Sequence, residues 1–270
     1  MARNTYGLDL GSYEIKVYDK KQDTIWKEKN VLAVQDKKEI IAIGEDAYQM
    51  YEKTPPDIEV AFPMRDGVIS RFNDMQNLLQ NILKKNRHFS RGAEYVIAVP
   101  TDVTEVQKKA FFDLVIHSNA KAREVNIVER SIADAVGLGI DVQNTTGVMI
   151  INFGGETTEL SVLTEGGIVF NRLLKLGGTT LDQEIVNLVR NSHDFLIGSR
   201  TAEILRQQFD VFNGDSETAF SVAGRDLITG LPMRKTISIT LVRAAFKDTL
   251  LECMKAVRSM LDRTPPEIRK

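Results

Sequence analysis

Among its 270 residues the chain has one cysteine, Cys253, so neither a disulfide framework nor a multi-thiolate metal site can form within it. A reducing, cytoplasmic compartment is the expectation. The three histidines, His88, His117 and His193, stand singly without ligand spacing, which argues against a metal site built on imidazole. An excess of charge is also lacking: the formal net charge is −2 and the pI is near 6.0. No basic face for displacing counterions from a phosphate backbone is expected, and hence no nucleic-acid partner. No run reaches the ~18 apolar residues of a spanning helix, and Met1 leads at once into a strand-like run, so neither export nor membrane crossing is expected.

What is present is ordinary soluble composition, 43% hydrophobic and 27% charged, in a length sufficient for two compact domains. Two glycine-punctuated hairpins stand out. Gly7-Leu8-Asp9-Leu10-Gly11-Ser12 is bracketed by strand-like Tyr6–Leu10 and Glu14–Tyr18. Asn152-Phe153-Gly154-Gly155-Glu156-Thr157-Thr158 is bracketed by Val148–Phe153 and Glu159–Thr164. Glycine at such a bend lets backbone N–H groups approach phosphate oxygens that a side chain would keep away. One such turn is common; two in matching contexts point to a nucleotide held between two similar half-molecules.

Further strands are expected at Asp23–Lys27, Val31–Val34, Ile40–Ile43, Tyr95–Val99 and Val125–Val128. Helices are expected at Asn73–Lys85 and Thr104–Ser118, each opened by a capping box (Asn73 with Gln76, Thr104 with Gln107). The mixed order of hairpins and βαβ units predicts an α/β fold. A boundary is expected where the polar run Asp141–Gly147 gives way to Val148. Beyond it, helices are read at Thr180–Asn191 and Ser199–Phe209, and Gly224–Pro232 is read as irregular. In the last helix, Leu241–Leu261, the residues Leu241, Ala244, Ala245, Leu251, Met254, Val257 and Leu261 form an apolar stripe. Trp26, Phe111 and Phe112 read as core or core-edge residues.

Taken in order, Gly7–Gly11, Gly44–Ala47, Arg65–Ile69, Val99–Glu105, Ala122–Val125, Gly154–Glu159, Ile197–Glu203, Gly224–Leu227, Thr229–Pro232 and Thr264–Glu267 resemble the motifs of the MreB family of bacterial actin-like filament proteins. That family lies within the actin, chaperone and sugar-kinase ATPase superfamily. The resemblance implies a ribonuclease H-like duplicated fold of two lobes around a nucleotide cleft. Residues 1–146 would form the first lobe, with a small insertion at about 32–66. Residues 147–270 would form the second, with an insertion at about 175–238 and without the C-terminal adenine-binding segment that follows in relatives. ATP and Mg²⁺ are the implied cofactors. Carried over by position, Gly11, Ser12, Tyr13 and Glu14 would form the first phosphate segment and Asn152, Gly154, Gly155, Glu156 and Thr157 the second. Glu203, Ile204, Leu205 and Arg206 would reach the nucleoside, and Asp9 would act near Mg²⁺ through water.

Three departures from the family pattern fall in the implied chemistry. Asn152 stands where relatives have Asp, which weakens the expected grip on a metal. Glu156 stands where relatives have a third glycine; at about 4 Å from a phosphate its charge would repel by roughly 4 kcal/mol, so its side chain must turn away or meet the metal. Arg130 stands where relatives have the Glu that orients the attacking water, and a donor-only guanidinium cannot replace it. Glu129 is the alternative catalytic carboxylate. Arg130 is expected to pair with the γ-phosphate or with Glu156. The implied function is a cytoplasmic ATP-binding cytoskeletal protein, at most a weak ATPase, that polymerises with itself and guides the cell-wall synthesis machinery and rod shape. Phe89, set among basic residues in Lys84–Arg91, is the candidate contact with the inner face of the cell membrane. A small-molecule kinase of the same superfamily is the alternative.

Overall fold

The computed structural model describes residues 4–85, 92–165, 167–208 and 218–268. The chain forms two compact units, one of Met1–Lys175 with Pro265–Lys270 and one of Leu176–Thr264. This division falls later in the chain than the lobe boundary expected near residue 147, and the second glycine hairpin lies in the first unit.

Alternation of apolar and polar residues builds the first sheet. In β1 (Thr5–Leu10) Tyr6, Leu8 and Leu10 are buried, and in β2 (Glu14–Asp19) so are Ile15 and Val17. Because side chains in a strand alternate between faces, Asp9 and Lys16 are left together on the other face, directly opposite each other in the antiparallel register. β3 (Thr24–Lys29) continues the meander. After β4 (Leu32–Gln35), β5 (Glu39–Ile43), α1 (Glu45–Met50) and β6 (Ile58–Ala61), which form a small separate sheet and its helix, comes the short hairpin β7 (Met64–Arg65) and β8 (Val68–Ile69). α2 (Phe72–Lys85), β9 (Glu94–Val99), α3 (Glu105–Ile116), β10 (Glu124–Glu129) and α4 (Arg130–Gly137) follow. β9 and β10 join the first meander as parallel strands, giving the sheet order β10-β9-β1-β2-β3. α3 begins with the expected capping box, Thr104 and Gln107 exchanging bonds. The box expected at Asn73 is not what opens α2, which already includes Phe72. Phe111 is buried, and Trp26 and Phe112 pack against the same core.

A second antiparallel meander, β11 (Val148–Phe153), β12 (Thr158–Thr164) and β13 (Gly167–Leu174), repeats the pattern of the first. Ala135 of α4 packs with Ile150 and Leu163 of this sheet, which fixes the helix and hence the direction of its first residue. Residues after Pro265 return to this unit, where Ile268 leaves no space for a side chain at Gly147.

In the other unit, α5 (Gly178–His193), β14 (Phe195–Leu196), α6 (Ser199–Gln208), β15 (Ala219–Asp226), β16 (Pro232–Ser238) and α7 (Ile239–Arg263) enclose their own core around Ile185, Phe195, Leu205, Ile237 and Val242. The stretch Gly224–Pro232, expected to be irregular, is mostly the end of β15 and its turn into β16. The stripe expected on α7 is also corrected. Of the expected stripe Ala245 is buried, but its buried companions are Val242, Phe246, Thr249, Cys253, Ala256 and Met260, whereas Leu251, Met254 and Leu261 are exposed. Apolar residues lie on both faces of this helix, so periodicity alone could not choose between them.

Candidate nucleotide-phosphate crevice

The two glycine turns close in the same way. Gly11 N–H donates to the Glu14 carbonyl at 3.1 Å, and Gly154 N–H donates to the Thr157 carbonyl at 2.8 Å. In each, a side chain on the glycine would strike that same carbonyl oxygen, at 2.8 and 2.9 Å. The first turn is held from outside by Asn30, whose Nδ2 donates to the Gly11 carbonyl at 2.7 Å and whose backbone N–H donates to the Tyr13 carbonyl at 3.0 Å.

Both turns face one crevice of about 270 Å³ within the first unit, lined by Asp9, Gly11, Ser12, Tyr13, Glu14, Asn152, Gly154, Gly155, Glu156, Thr157 and Arg130, together with Lys16, Gly67 and Phe153. The turns touch: a Cβ at Gly155 would lie 2.6 Å from the Cβ of Tyr13. Every phosphate-segment residue expected from the sequence in this unit is therefore on one surface.

Charge in the crevice is arranged around Asp9. Its Oδ2 accepts from Lys16 Nζ at 3.0 Å, and its Oδ1 pairs with Arg130 Nη2 at 3.4 Å. Arg130, the first residue of α4, has only 12% of its side chain exposed, and its buried Nε has no hydrogen-bond partner among the described residues. One turn along α4, Asp134 accepts from Asn152 Nδ2 at 2.6 Å. Burial pushes the Asp134 carboxyl above its ordinary range, against the pull of the Asn152 bond and the Arg130 charge. Nearby, buried Glu159 accepts from Thr101 N–H at 3.0 Å and from Asn171 Nδ2 at 2.9 Å.

Glu156 has its carboxylate taken up by the β7–β8 turn. It accepts from Asp66 N–H at 2.8 Å and lies 3.5 Å from Arg65. Its backbone does not need a positive φ, so no glycine-only conformation is violated. The acceptance comes from the β7–β8 turn, in which Asp66 (φ 50°) and Gly67 (φ 81°) both adopt left-handed conformations. The same turn reaches the first hairpin through Gly67 N–H, which donates to Ser12 Oγ at 3.1 Å, and the residue that follows β13 through Asp66, which pairs with Lys175 at 2.6 Å. The expected pairing of Arg130 with Glu156 is therefore not formed: Arg130 is paired with Asp9 and Glu156 with the β7–β8 turn. Glu129 ends β10 and precedes α4 without a side-chain cap bond, and it is not among the lining residues.

The four nucleoside candidates belong to α6 in the other unit. Leu205 is a core residue there, fully buried, so its side chain is committed to packing. Glu203 accepts from Gln207 at 2.9 Å. Arg206 grips Asp182 through Nε at 2.6 Å and Nη2 at 3.1 Å, and packs against Gly178. Ile204 is exposed. Phe89, the candidate membrane contact, lies outside the described residues.

Lys16 and Asp134 were missed in the sequence. Lys16 follows from hairpin register, since a turn at Gly11–Glu14 sets residue 16 opposite residue 9. Asp134 had no local signal, because α4 was not expected.

The donor set does not suit Mg²⁺. Hard cations take oxygen ligands, chiefly carboxylates, phosphates and water. Here Asp9 already carries two positively charged neighbours, residue 152 is a neutral amide engaged as a donor, and the Glu156 carboxylate is engaged by Asp66 N–H and Arg65. Among the described residues no group of three or more His, Cys, Asp or Glu side chains is placed to hold a metal ion.

A five-stranded mixed sheet, a repeated meander and paired glycine turns define an actin-like protein, and solved structures agree. MreB5 of Spiroplasma citri bound to AMPPNP superposes with a TM-score of 0.92 at 30% identity, covering 99% of this chain and 81% of that one. The double-helical filament of MamK shares the fold at a TM-score of 0.79 and 20% identity, over 99% of this chain and 82% of that one. The model of the MreB/Mbl protein family matches residues 3–270. The cell shape-determining protein MreB of Escherichia coli K12 is 33% identical over 99% of this chain and 79% of its own length. Mbl of Bacillus subtilis 168 is 31% identical over 97% and 79%. The chain belongs to the MreB/Mbl family of cell shape-determining actin homologues.

Proposed function

We propose that the chain binds ATP through the two glycine turns and assembles head to tail into filaments whose cellular role is to guide wall synthesis and hold rod shape, working at the inner face of the cell membrane. The observation that carries the nucleotide reading is the pair of identically closed turns meeting at Gly155 and Tyr13 on one crevice. It is supported by the 30% identical MreB5, solved with both AMPPNP and ADP. Filaments follow from an end-to-end contact that does not close on itself, with nucleotide favouring the conformation that joins.

Hydrolysis is slow in this reading. Arg130 offers only donors to a water molecule, and Glu129 does not line the crevice. Ultracentrifugation with ATP, with ADP and without nucleotide tests the assembly. ATP is expected to carry most of the protein into the pellet and to keep it there for long periods. Equal pelleting under all three conditions would remove the nucleotide-dependent polymer.

A further inference from the structure

The proposed nucleotide reading leaves a question of charge, because a triphosphate needs compensation that a divalent cation ordinarily supplies. We infer that Arg130 and Lys16 supply it here, so that the crevice takes a nucleoside triphosphate without a metal ion in contact with the protein.

Four observations carry this, and the inference rests on the nucleotide reading itself. Lys16 and Arg130 stand on the two sides of one carboxylate, Asp9, at 3.0 and 3.4 Å. A carboxylate flanked by two fixed cations has little attraction left for a dication. The second observation is the state of Arg130. Its contact with Asp9 is long, and its Nε is buried without a partner among the described residues. A guanidinium has five N–H donors in a planar fork suited to phosphate, so an interior donor left unmet costs stability unless a ligand satisfies it.

Third, residue 152 is a donor. Asn152 Nδ2 is committed to the Asp134 carboxylate, so residue 152 itself places no anion beside a hydrated metal. Fourth, the Glu156 carboxylate is already engaged by Asp66 N–H and Arg65, so it is paired with neither Arg130 nor Lys16. The charged lining is then Arg130 and Lys16, beside the backbone of two glycine turns, against Asp9, Glu14 and the Arg65-paired Glu156.

Isothermal titration of the full chain with ATP, in excess EDTA and in millimolar Mg²⁺, tests this directly. The two dissociation constants are expected to agree within about threefold. Binding weaker by more than about tenfold in EDTA would overturn the inference while leaving the nucleotide reading standing. Binding in neither buffer would overturn both.

Arg130→Gln gives a second, independent reading. It is expected to lose at least about tenfold in EDTA, with part of the loss recovered by Mg²⁺ once Asp9 has shed a cation. An Arg130→Gln chain that melts like the native one and binds ATP equally well in EDTA would place the compensating charge elsewhere and overturn the assignment. If that variant does not fold, the comparison of buffers on the native chain still decides.

Discussion

Gly155 and Tyr13 are the point at which the two halves of the crevice meet: a methyl group on residue 155 would sit 2.6 Å from the Tyr13 Cβ. Both atoms are close to rigid backbone, so neither can swing aside. Gly155→Ala is expected to cost about 1–3 kcal/mol as overpacking, and to weaken ATP binding by separating the turns. Thermal melting and nucleotide titration check it. Gly137→Ala is the control, since among the described residues nothing lies within 4 Å of a side chain there; it should be neutral or slightly stabilising.

Arg130 limits hydrolysis in the proposed function. Arg130→Glu replaces a donor-only group by a proton acceptor and relieves Asp9 of one cation. With Mg²⁺ present, phosphate release is expected to rise by ~10²-fold, the lower end of what a positioned base contributes. A phosphate-release assay at saturating ATP reads this. An unchanged rate would mean that residue 130 does not set turnover.

Glu156 anchors the β7–β8 turn to the second hairpin. The ion pair with Arg65 is largely solvated and contributes little, whereas the bond from Asp66 N–H is part-buried and charge-assisted. Glu156→Ala is expected to cost about 1–2 kcal/mol in urea denaturation, and Glu156→Gln, which keeps the acceptor, less than half as much. Amide exchange at Asp66 should speed up in the first variant and hardly change in the second.

Asp226 sets an acid limit on the second unit. Its carboxylate accepts from Lys235 Nζ and from the N–H groups of Ile228 and Thr229 and the Thr229 hydroxyl. The Lys235 bond first, then the Thr229 backbone bond, hold it well below the usual carboxylate range. A depressed folded-state value means the stabilisation is complete above the unfolded value of about 3.9 and is lost as pH falls below it. Asp226→Asn is therefore expected to melt earlier than the native chain at pH 7, with the gap beginning to narrow only below about pH 4. Melting curves across that range would show it, and a constant gap would contradict it.

The two glycine hairpins, the strands that carry them and the helix at Thr104 were legible because each depends on local chemistry: alternation, a turn glycine, a cap. The actin-like fold was legible through motif order. What could not be read locally was which partner each charged residue would choose. Arg130 turned to Asp9, and Glu156 turned to Asp66, a residue ninety positions away in sequence. The same limit applied to α7, whose two apolar faces gave no preference, and to Leu205, whose burial in its unit's core depends on packing with α5 and β15 rather than on its own neighbours in sequence.

The contact between Asn152 and Asp134 also constrains how such a crevice could be altered. With 2.6 Å between the amide nitrogen and the carboxylate oxygen, exchanging Asn152 for Asp alone would press two anions together in a partly buried spot, and one would have to hold a proton or recruit a cation. A lineage could not pass between the amide and the acid by that single step without a penalty. The change has to be accompanied by another, at position 134 or 130, and the order of those steps matters.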